Sequence, residues 1–272
     1  IRLSLVGSEM CIRDSLERVR NAASCELLIR EINAFIRRSY TRENTLVRRS
    51  YVYEYSKMET FAFALHCPGG RETSQLPGFS ATEVPPALMT LSMEVADRLS
   101  LKCGRVLFNV GRYFEGCGAI MPHYDGELFD YDVDPGVSHV VRSGIRPREV
   151  AILTLRDGTR TGGTRLHDES GGIVAPPIQV GDLLRFDNLV YRHSVPSPES
   201  ATTSVRDEAM GPPRWIRYTV GWRALDENCF DWQDGAPLRP LGLEAAIDLH
   251  QRFLRDRWPQ QRAVDVARGT FP

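Results

Sequence analysis

The feature that most limits how this chain can fold is its punctuation between Cys103 and Ala224. Short apolar runs follow one another there, each closed by a turn signal. They are "RVLFNVGRYF" (105–114), "AIMPHYDGE" (119–127), "EVAILTLRD" (149–157), "GGTRLHD" (162–168), "GGIVAPP" (171–177), "GDLLRFDN" (181–188), "YRHSVPS" (191–197) and "RWIRYTVGWRA" (214–224). Runs this brief, rich in β-branched and aromatic residues, suit strands better than helices. Many short strands at such spacing predict an antiparallel sandwich or barrel.

The flanks read differently. From Leu16 to about Arg38, the residues Leu16, Val19, Ala23, Leu27, Leu28, Ile32, Phe35 and Ile36 trace one face of an amphipathic helix. Residues 51–66 read as extended and 67–80 as a Pro- and Gly-punctuated loop. A second helix is expected from Pro86 to Leu99, with Leu88, Leu91, Val95 and Leu99 as its stripe and prolines at its tolerated start. Leu243, Ala246, Ile247, Leu249, Phe253 and Leu254 mark a third helix. His250 falls on its apolar face, where a lone histidine is more often a hydrogen-bonded core residue than a ligand. The expected fold class is therefore mainly β with flanking α-helices. Residues 16–102 form an N-terminal support, 103–230 the β core, and 231–272 a C-terminal helical segment. Residues 1–15, "IRLSLVGSEMCIRDS", resemble a translated sequencing-library adapter, and we expect them to be non-native.

Composition narrows the function classes. The chain has 272 residues, enough for one large domain or two small ones. Its 34 Lys and Arg against 35 Asp and Glu give a net charge of −1. Without a basic excess no nucleic-acid partner is expected. No apolar run approaches the ~20 residues that span a bilayer, so no membrane partner is expected either. The six cysteines are scattered with no C-x-x-C pair, which argues against a zinc ribbon or a disulfide scaffold and for reduced thiols in a cytoplasmic protein. No sequence feature sets an oligomeric state.

The stretch "MPHYDGE" (121–127) carries the chemistry. On a strand, His123 and Asp125 share a face. An imidazole and a carboxylate there suit a divalent transition metal, although an H-x-D pair alone is more often structural or on the surface. A third ligand must come from elsewhere. His193 stands out because it follows the turn–strand–turn segment "GDLLRFDNLVYR". Two His and one Asp form the 2-His-1-carboxylate arrangement of non-haem Fe(II) sites. Further on, "RWIRYTVGW" alternates. Trp215, Arg217, Thr219 and Gly221 lie on one face, and Ile216, Tyr218, Val220 and Trp222 on the other. The second face packs against apolar cover, so Arg217 and Thr219 point into the cavity. A guanidinium beside a hydroxyl there can hold a carboxylate bidentately. The competing reading of Arg217 is a salt-bridged arginine near a barrel rim, with Arg206, Arg214 and Arg223 as fallback anchors.

Taken together, these residues resemble the Fe(II)- and 2-oxoglutarate-dependent dioxygenases of the prolyl-hydroxylase-like branch. The resemblance spans about residues 103–224. It rests on Tyr113-x-x-Gly-x-Gly leading to His123-x-Asp125, on Gly162-Gly163, on Gly181-Asp182-x-x-x-Phe186 before His193, and on Arg217-x-Thr219. It implies a double-stranded β-helix, a jelly-roll or cupin-like barrel, for the core. It implies Fe(II) on His123, Asp125 and His193. It implies 2-oxoglutarate held by Arg217 and Thr219, with the Tyr113 hydroxyl nearby. O2 is the other reactant, and ascorbate is an optional addition. A small-molecule or peptidyl substrate would be hydroxylated or otherwise oxidised, with release of succinate and CO2. The segment between His193 and Arg217, which includes "PSPESATTSVRDEAMGPP", is longer than relatives carry and is expected to loop out, with a lid over the site as a further role. Related halogenases replace the carboxylate ligand with a small residue; Asp125 is present, which favours hydroxylation. Two other readings stand beside this one: a cupin-like metal enzyme that does not use 2-oxoglutarate, and a non-catalytic β-barrel binding module.

Overall fold

The structure is a computed structural model that describes residues 15–40, 49–53, 56–67, 85–99, 104–114, 119–130, 140–159, 162–196, 215–233 and 236–256. Its described part is mainly antiparallel β with three helices. The first elements are β1 (Ser15–Arg18), α1 (Ala22–Tyr40), β2 (Arg49–Tyr53), β3 (Ser56–Cys67) and α2 (Pro86–Arg98). Next come β4 (Gly104–Phe114), β5 (Ile120–His123), β6 (Glu127–Asp130), β7 (Val140–Arg146) and β8 (Glu149–Asp157). Then follow β9 (Arg165–His167), β10 (Ile173–Val174), β11 (Asp182–Asp187) and β12 (Arg192–Val195). The last are β13 (Trp215–Leu225), β14 (Cys229–Gln233), β15 (Arg239–Leu241) and α3 (Leu243–Asp256).

The strands form a seven-stranded sheet in the order β1-β11-β8-β13-β4-β3-β2 and two four-stranded sheets, β10-β9-β12-β5 and β15-β14-β7-β6. The period of two along β8 explains how the layers stack. Ala151, Leu153 and Leu155 join Leu183 of β11, Tyr218, Val220 and Trp222 of β13, and the apolar faces of α1 and α2 in one core. Val150 and Ile152 turn the other way and meet Leu184, Phe186, Leu166 and Tyr191 in a second core, beneath the β9 sheet. The central strands are thus buried on both faces, which is why "EVAILTLRD" reads as an almost unbroken apolar run. A smaller cluster of Ile145, Leu225, Cys229 and Ala246 seats α3 against β7, β13 and β14.

The α2 helix occupies the expected segment, and Leu88, Leu91, Val95 and Leu99 are buried. The N-terminal boundary differs from the sequence expectation of one helix from Leu16. Residues 15–18 are instead strand, paired antiparallel to β11 with Leu16 opposite Leu184. Leu16 and Val19 happen to lie in phase with the helical stripe, but Asn21 starts the helix. Its Oδ1 accepts the Ser24 N–H at 2.9 Å, an N-cap that sets Ala22 as the first helical residue. Upstream, the Val19 and Arg20 N–H groups bond to the Gly181 carbonyl, and Arg18 pairs with Asp182. The buried stripe of α1 is Cys25, Leu28, Ile29, Ile32 and Phe35, so Leu27 faces solvent. The side chain of His250, and residues 1–14, lie outside what is described. No described helix is long and apolar enough to cross a membrane.

Candidate metal centre

Two short strands and a turn bring the candidate ligands together. β12 and β5 run antiparallel, with His193 directly opposite His123. Their rings lie 4.2 Å apart between centroids, tilted by 49°. The expectation that Asp125 shares a strand face with His123 is corrected here. β5 ends at His123, and Asp125 stands in the turn before β6. Gly126 forces that turn, with φ of +91° and no room for a Cβ, which would meet the Ile145 carbonyl oxygen at 1.9 Å. The turn nonetheless returns the carboxylate to the imidazoles. One ligand atom each from His123, Asp125 and His193 lies within 4.8 Å of the other two.

The electrostatics keep these groups ready to act as ligands. Burial, with His123 beside it, pushes His193 down to about 3 against the opposing pull of Asp125; Arg223 and His167 lower it further. His193 is therefore a neutral imidazole at neutral pH, the form that binds metals. Its Nδ1 is buried with no hydrogen-bond partner among the described residues. Burial raises the Asp125 carboxyl, but the Arg223 guanidinium, His193 and His123 outweigh it and hold Asp125 below its ordinary value, so it is a carboxylate. Arg223 Nε lies 3.6 Å from Asp125 Oδ1. Two neutral or ionisable imidazoles and one carboxylate, with an orphaned buried nitrogen among them, fit a divalent first-row metal ion.

A second polar feature lies between the sheets. Arg217, near the start of β13, is 0 % exposed. Its Nη2 donates to Thr164 Oγ1 at 3.2 Å, just before β9, while Nε and Nη1 have no partner among the described residues. Its guanidinium lies 5.3 Å from the centre of the Tyr113 ring, and Tyr113 is its cross-strand neighbour on β4. Tyr113 in turn packs with Ile120 of β5 and Val195 of β12, the strands that carry the histidines. Thr219, two residues along the same face as Arg217, is also buried. Tyr218, Val220 and Trp222 on the opposite face lie in the core with the helices, as alternation requires. The rim salt bridge is not found: no acidic partner of Arg217 occurs among the described residues. Arg206 and Arg214 lie outside the described residues.

Sequence reasoning missed Thr164 and Asn188 and underrated Arg223. Arg223 could have been found, because it continues the alternating face of Arg217 and Thr219. Asn188 reads in sequence only as a turn residue. Here its side chain bonds both main-chain polar groups of Asp125.

No protein-family model and no curated protein matches this chain. Solved structures similar to it include a Pseudomonas putida prolyl-4-hydroxylase, at 16 % identity and a TM-score of 0.41, covering 78 % of this chain and 92 % of that one. Another is the viral collagen prolyl hydroxylase from Paramecium Bursaria Chlorella virus-1 in its 2OG complex, at 14 % and 0.40, covering 77 % and 94 %. A third is the non-heme alpha ketoglutarate dependent carbocyclase SnoK from nogalamycin biosynthesis, at 14 % and 0.47, covering 84 % and 88 %. These TM-scores lie below 0.5, so the chemistry of this chain is argued from its own residues.

Proposed function

We propose that this protein is an Fe(II)- and 2-oxoglutarate-dependent oxygenase whose β core is a double-stranded β-helix. The reading is carried by one observation: a fully buried arginine whose Nε and Nη1 have no partner among the described residues lies one aromatic ring away from the two strands that carry His123 and His193, where Asp125 joins them. His123, Asp125 and His193 would hold the iron. Arg217 would take the far carboxylate of 2-oxoglutarate, with the Thr219 hydroxyl and Tyr113 lining the same space. The bound iron and co-substrate supply the oxidising chemistry: O2 is consumed, 2-oxoglutarate leaves as succinate and CO2, and one oxygen atom passes to the substrate.

The protein's own part is positioning. The β5–β12 ladder fixes the imidazoles opposite each other, and the neutral His193 presents a lone pair without first losing a proton. Asp125 supplies one negative charge, which Arg223 helps keep ionised. A metal held by only these three side chains would have positions left for reactants. Arg217, with Nε and Nη1 unpartnered among the described residues, would accept a carboxylate as a charge-assisted partner. Phe186 packs against His193, its ring centre 5.4 Å away, and gives that imidazole an apolar neighbour. The substrate is a small molecule or a peptidyl side chain.

The test is anaerobic addition of Fe(II) and 2-oxoglutarate, followed by visible spectroscopy. A weak charge-transfer band that needs both components is expected, followed by succinate release on admission of O2 with substrate. Bound iron with no band would overturn the use of 2-oxoglutarate; no bound iron would overturn the metal centre.

A further inference from the structure

Asp125 differs from the two histidines in having no strand ladder to hold it. β5 stops at His123 and β6 begins at Glu127. Something else must fix a carboxylate carried on a turn, and the described residues supply one group for it. Asn188 is 0 % exposed and lies in the connection between β11 and β12. Its Oδ1 accepts the Asp125 N–H at 2.9 Å, and its Nδ2 donates to the Asp125 carbonyl at 3.0 Å. The second Nδ2 hydrogen goes to the Pro147 carbonyl at 2.9 Å, and the Asn188 backbone N–H to the Arg148 carbonyl at 2.7 Å. Both amide donors are therefore used.

The geometry points to Asn188 as the positioning residue of the metal centre, acting through the main chain of Asp125. This rests on the metal reading above. The Asp125 N–H and C=O belong to the two peptide planes on either side of its Cα. Bonding both fixes both planes, and with them the direction of the Cα–Cβ bond that aims the carboxylate. Asn188 does for Asp125 what a neighbouring strand does for His123. It also stands five residues before His193 on the same segment. One amide thus ties the carrier of the carboxylate to the carrier of the distal imidazole. It ties both to the Pro147 turn, whose preceding Ile145 carbonyl blocks any side chain at Gly126. A main-chain clamp of this kind imposes spacing while leaving both carboxylate oxygens of Asp125 for the metal and Arg223.

The test uses Co(II) as a spectroscopic probe of the full-length protein, without 2-oxoglutarate or turnover. Asn188→Ala is compared with wild type and with Val95→Ala, a core change in α2 that lowers stability far from the site. Folding is checked by circular dichroism at the titration temperature. We expect the Asn188→Ala Kd for Co(II) to rise about 10- to 100-fold, the range for losing a group that orients a ligand. Its d–d absorption should also change shape, while Val95→Ala keeps the wild-type Kd and band. A folded Asn188→Ala with wild-type Kd and spectrum would overturn the assignment. A wild type that binds no Co(II) would instead overturn the metal centre itself. Hydrogen exchange on wild-type protein gives a reading that needs no variant. The Asp125 amide should exchange slowly and become slower still when Co(II) binds; exchange at the open-chain rate, or no response to Co(II), would overturn the clamp.

Discussion

Arg217→Met separates a ligand anchor from a structural arginine, because the two roles predict opposite signs. The guanidinium is fully buried, with one hydrogen bond to Thr164 and two nitrogens, Nε and Nη1, unpaired among the described residues. Each unpaired buried donor costs about 1–3 kcal/mol, and the Thr164 bond contributes about 1 kcal/mol in return. The ligand-free protein therefore carries a net cost of about 1–5 kcal/mol at this residue by the same reckoning. Methionine is unbranched and adaptable enough to occupy most of the same space without polar atoms. Exchanging a buried charged group for an apolar one of similar volume is often stabilising by about 1–4 kcal/mol. We expect ligand-free Arg217→Met to melt above wild type, by ~2–4 °C for each kcal/mol gained. The same change should weaken 2-oxoglutarate binding by about 3 kcal/mol, the worth of a strong charge-assisted contact, or roughly 100-fold in Kd. The assay is thermal unfolding of both proteins with a metal ion, over a series of 2-oxoglutarate concentrations under argon. Wild type should gain stability as the logarithm of one plus ligand concentration over Kd, while the variant starts higher and responds only at far higher concentration. A variant that melts lower than wild type yet keeps the full ligand response would refute the reasoning and return Arg217 to a purely structural role.

Three further outcomes test the fold around the site. Ser92 accepts the Trp222 indole N–H at 2.9 Å deep in the helix-facing core, so Ser92→Ala should cost about 1–3 kcal/mol in urea unfolding, and Trp222→Phe in the same chain should recover part of the donor penalty. Gly126→Ala places a methyl carbon 1.9 Å from the Ile145 carbonyl oxygen, so the turn must move; weaker Co(II) binding and a stability loss of more than about 2 kcal/mol are expected, and unchanged binding would exclude the turn from the site. Burial pushes the Cys229 thiol up to about 12, from an ordinary 9.0, so folded protein should resist alkylation there at pH 8, as read by peptide mass spectrometry, and urea should expose it. Because the folded state holds that proton more tightly, its contribution to stability is complete below pH 9 and declines as pH rises toward 12, by up to ~1.4 kcal/mol per pH unit; Cys229→Ala should flatten that slope.

Much of this was legible in the sequence, for reasons that also explain the misses. The alternation in "RWIRYTVGW" assigns Arg217 and Thr219 to one face because β13 is a central strand buried on both sides. Arg217 and Thr219 are both buried even though the pairing register shifts at Trp215–Arg217 and at Tyr218–Thr219. The helical stripe of α2 is legible because Leu88, Leu91, Val95 and Leu99 keep the helical spacing and are all buried, although Ser92 is buried beside them and Met93 is exposed. The β1 boundary was hidden because Leu16 and Val19 satisfy the helical period by coincidence, and only the Asn21 cap distinguishes the two readings. Asn188 was hidden for a deeper reason. Its partners are main-chain groups 63 positions away, and a main-chain partner leaves no residue type to recognise. The same holds for Gly126, where the lack of room for a Cβ comes from Ile145 and Pro147 and not from its own neighbours in sequence.

The proposed metal ligands and the anion anchor are thus held by three different devices, and the difference has consequences. His123 and His193 belong to one antiparallel ladder, so displacing either imidazole means breaking strand pairs. Asp125 stands on a turn held by the Asn188 amide and Gly126, with Arg223 beside its carboxylate. Arg217 belongs to the seven-stranded sheet, bonds to Thr164 just before β9, and lies beside Tyr113 of the neighbouring strand β4, whose ring packs on β5 and β12. Damage to the Asn188 clamp should therefore weaken metal binding while Arg217 keeps its place. Changes at Arg217 should weaken binding of the organic anion while the three ligands stay assembled. The metal and the anion would be recognised by separate layers of one fold, meeting at the Tyr113 ring that both layers touch.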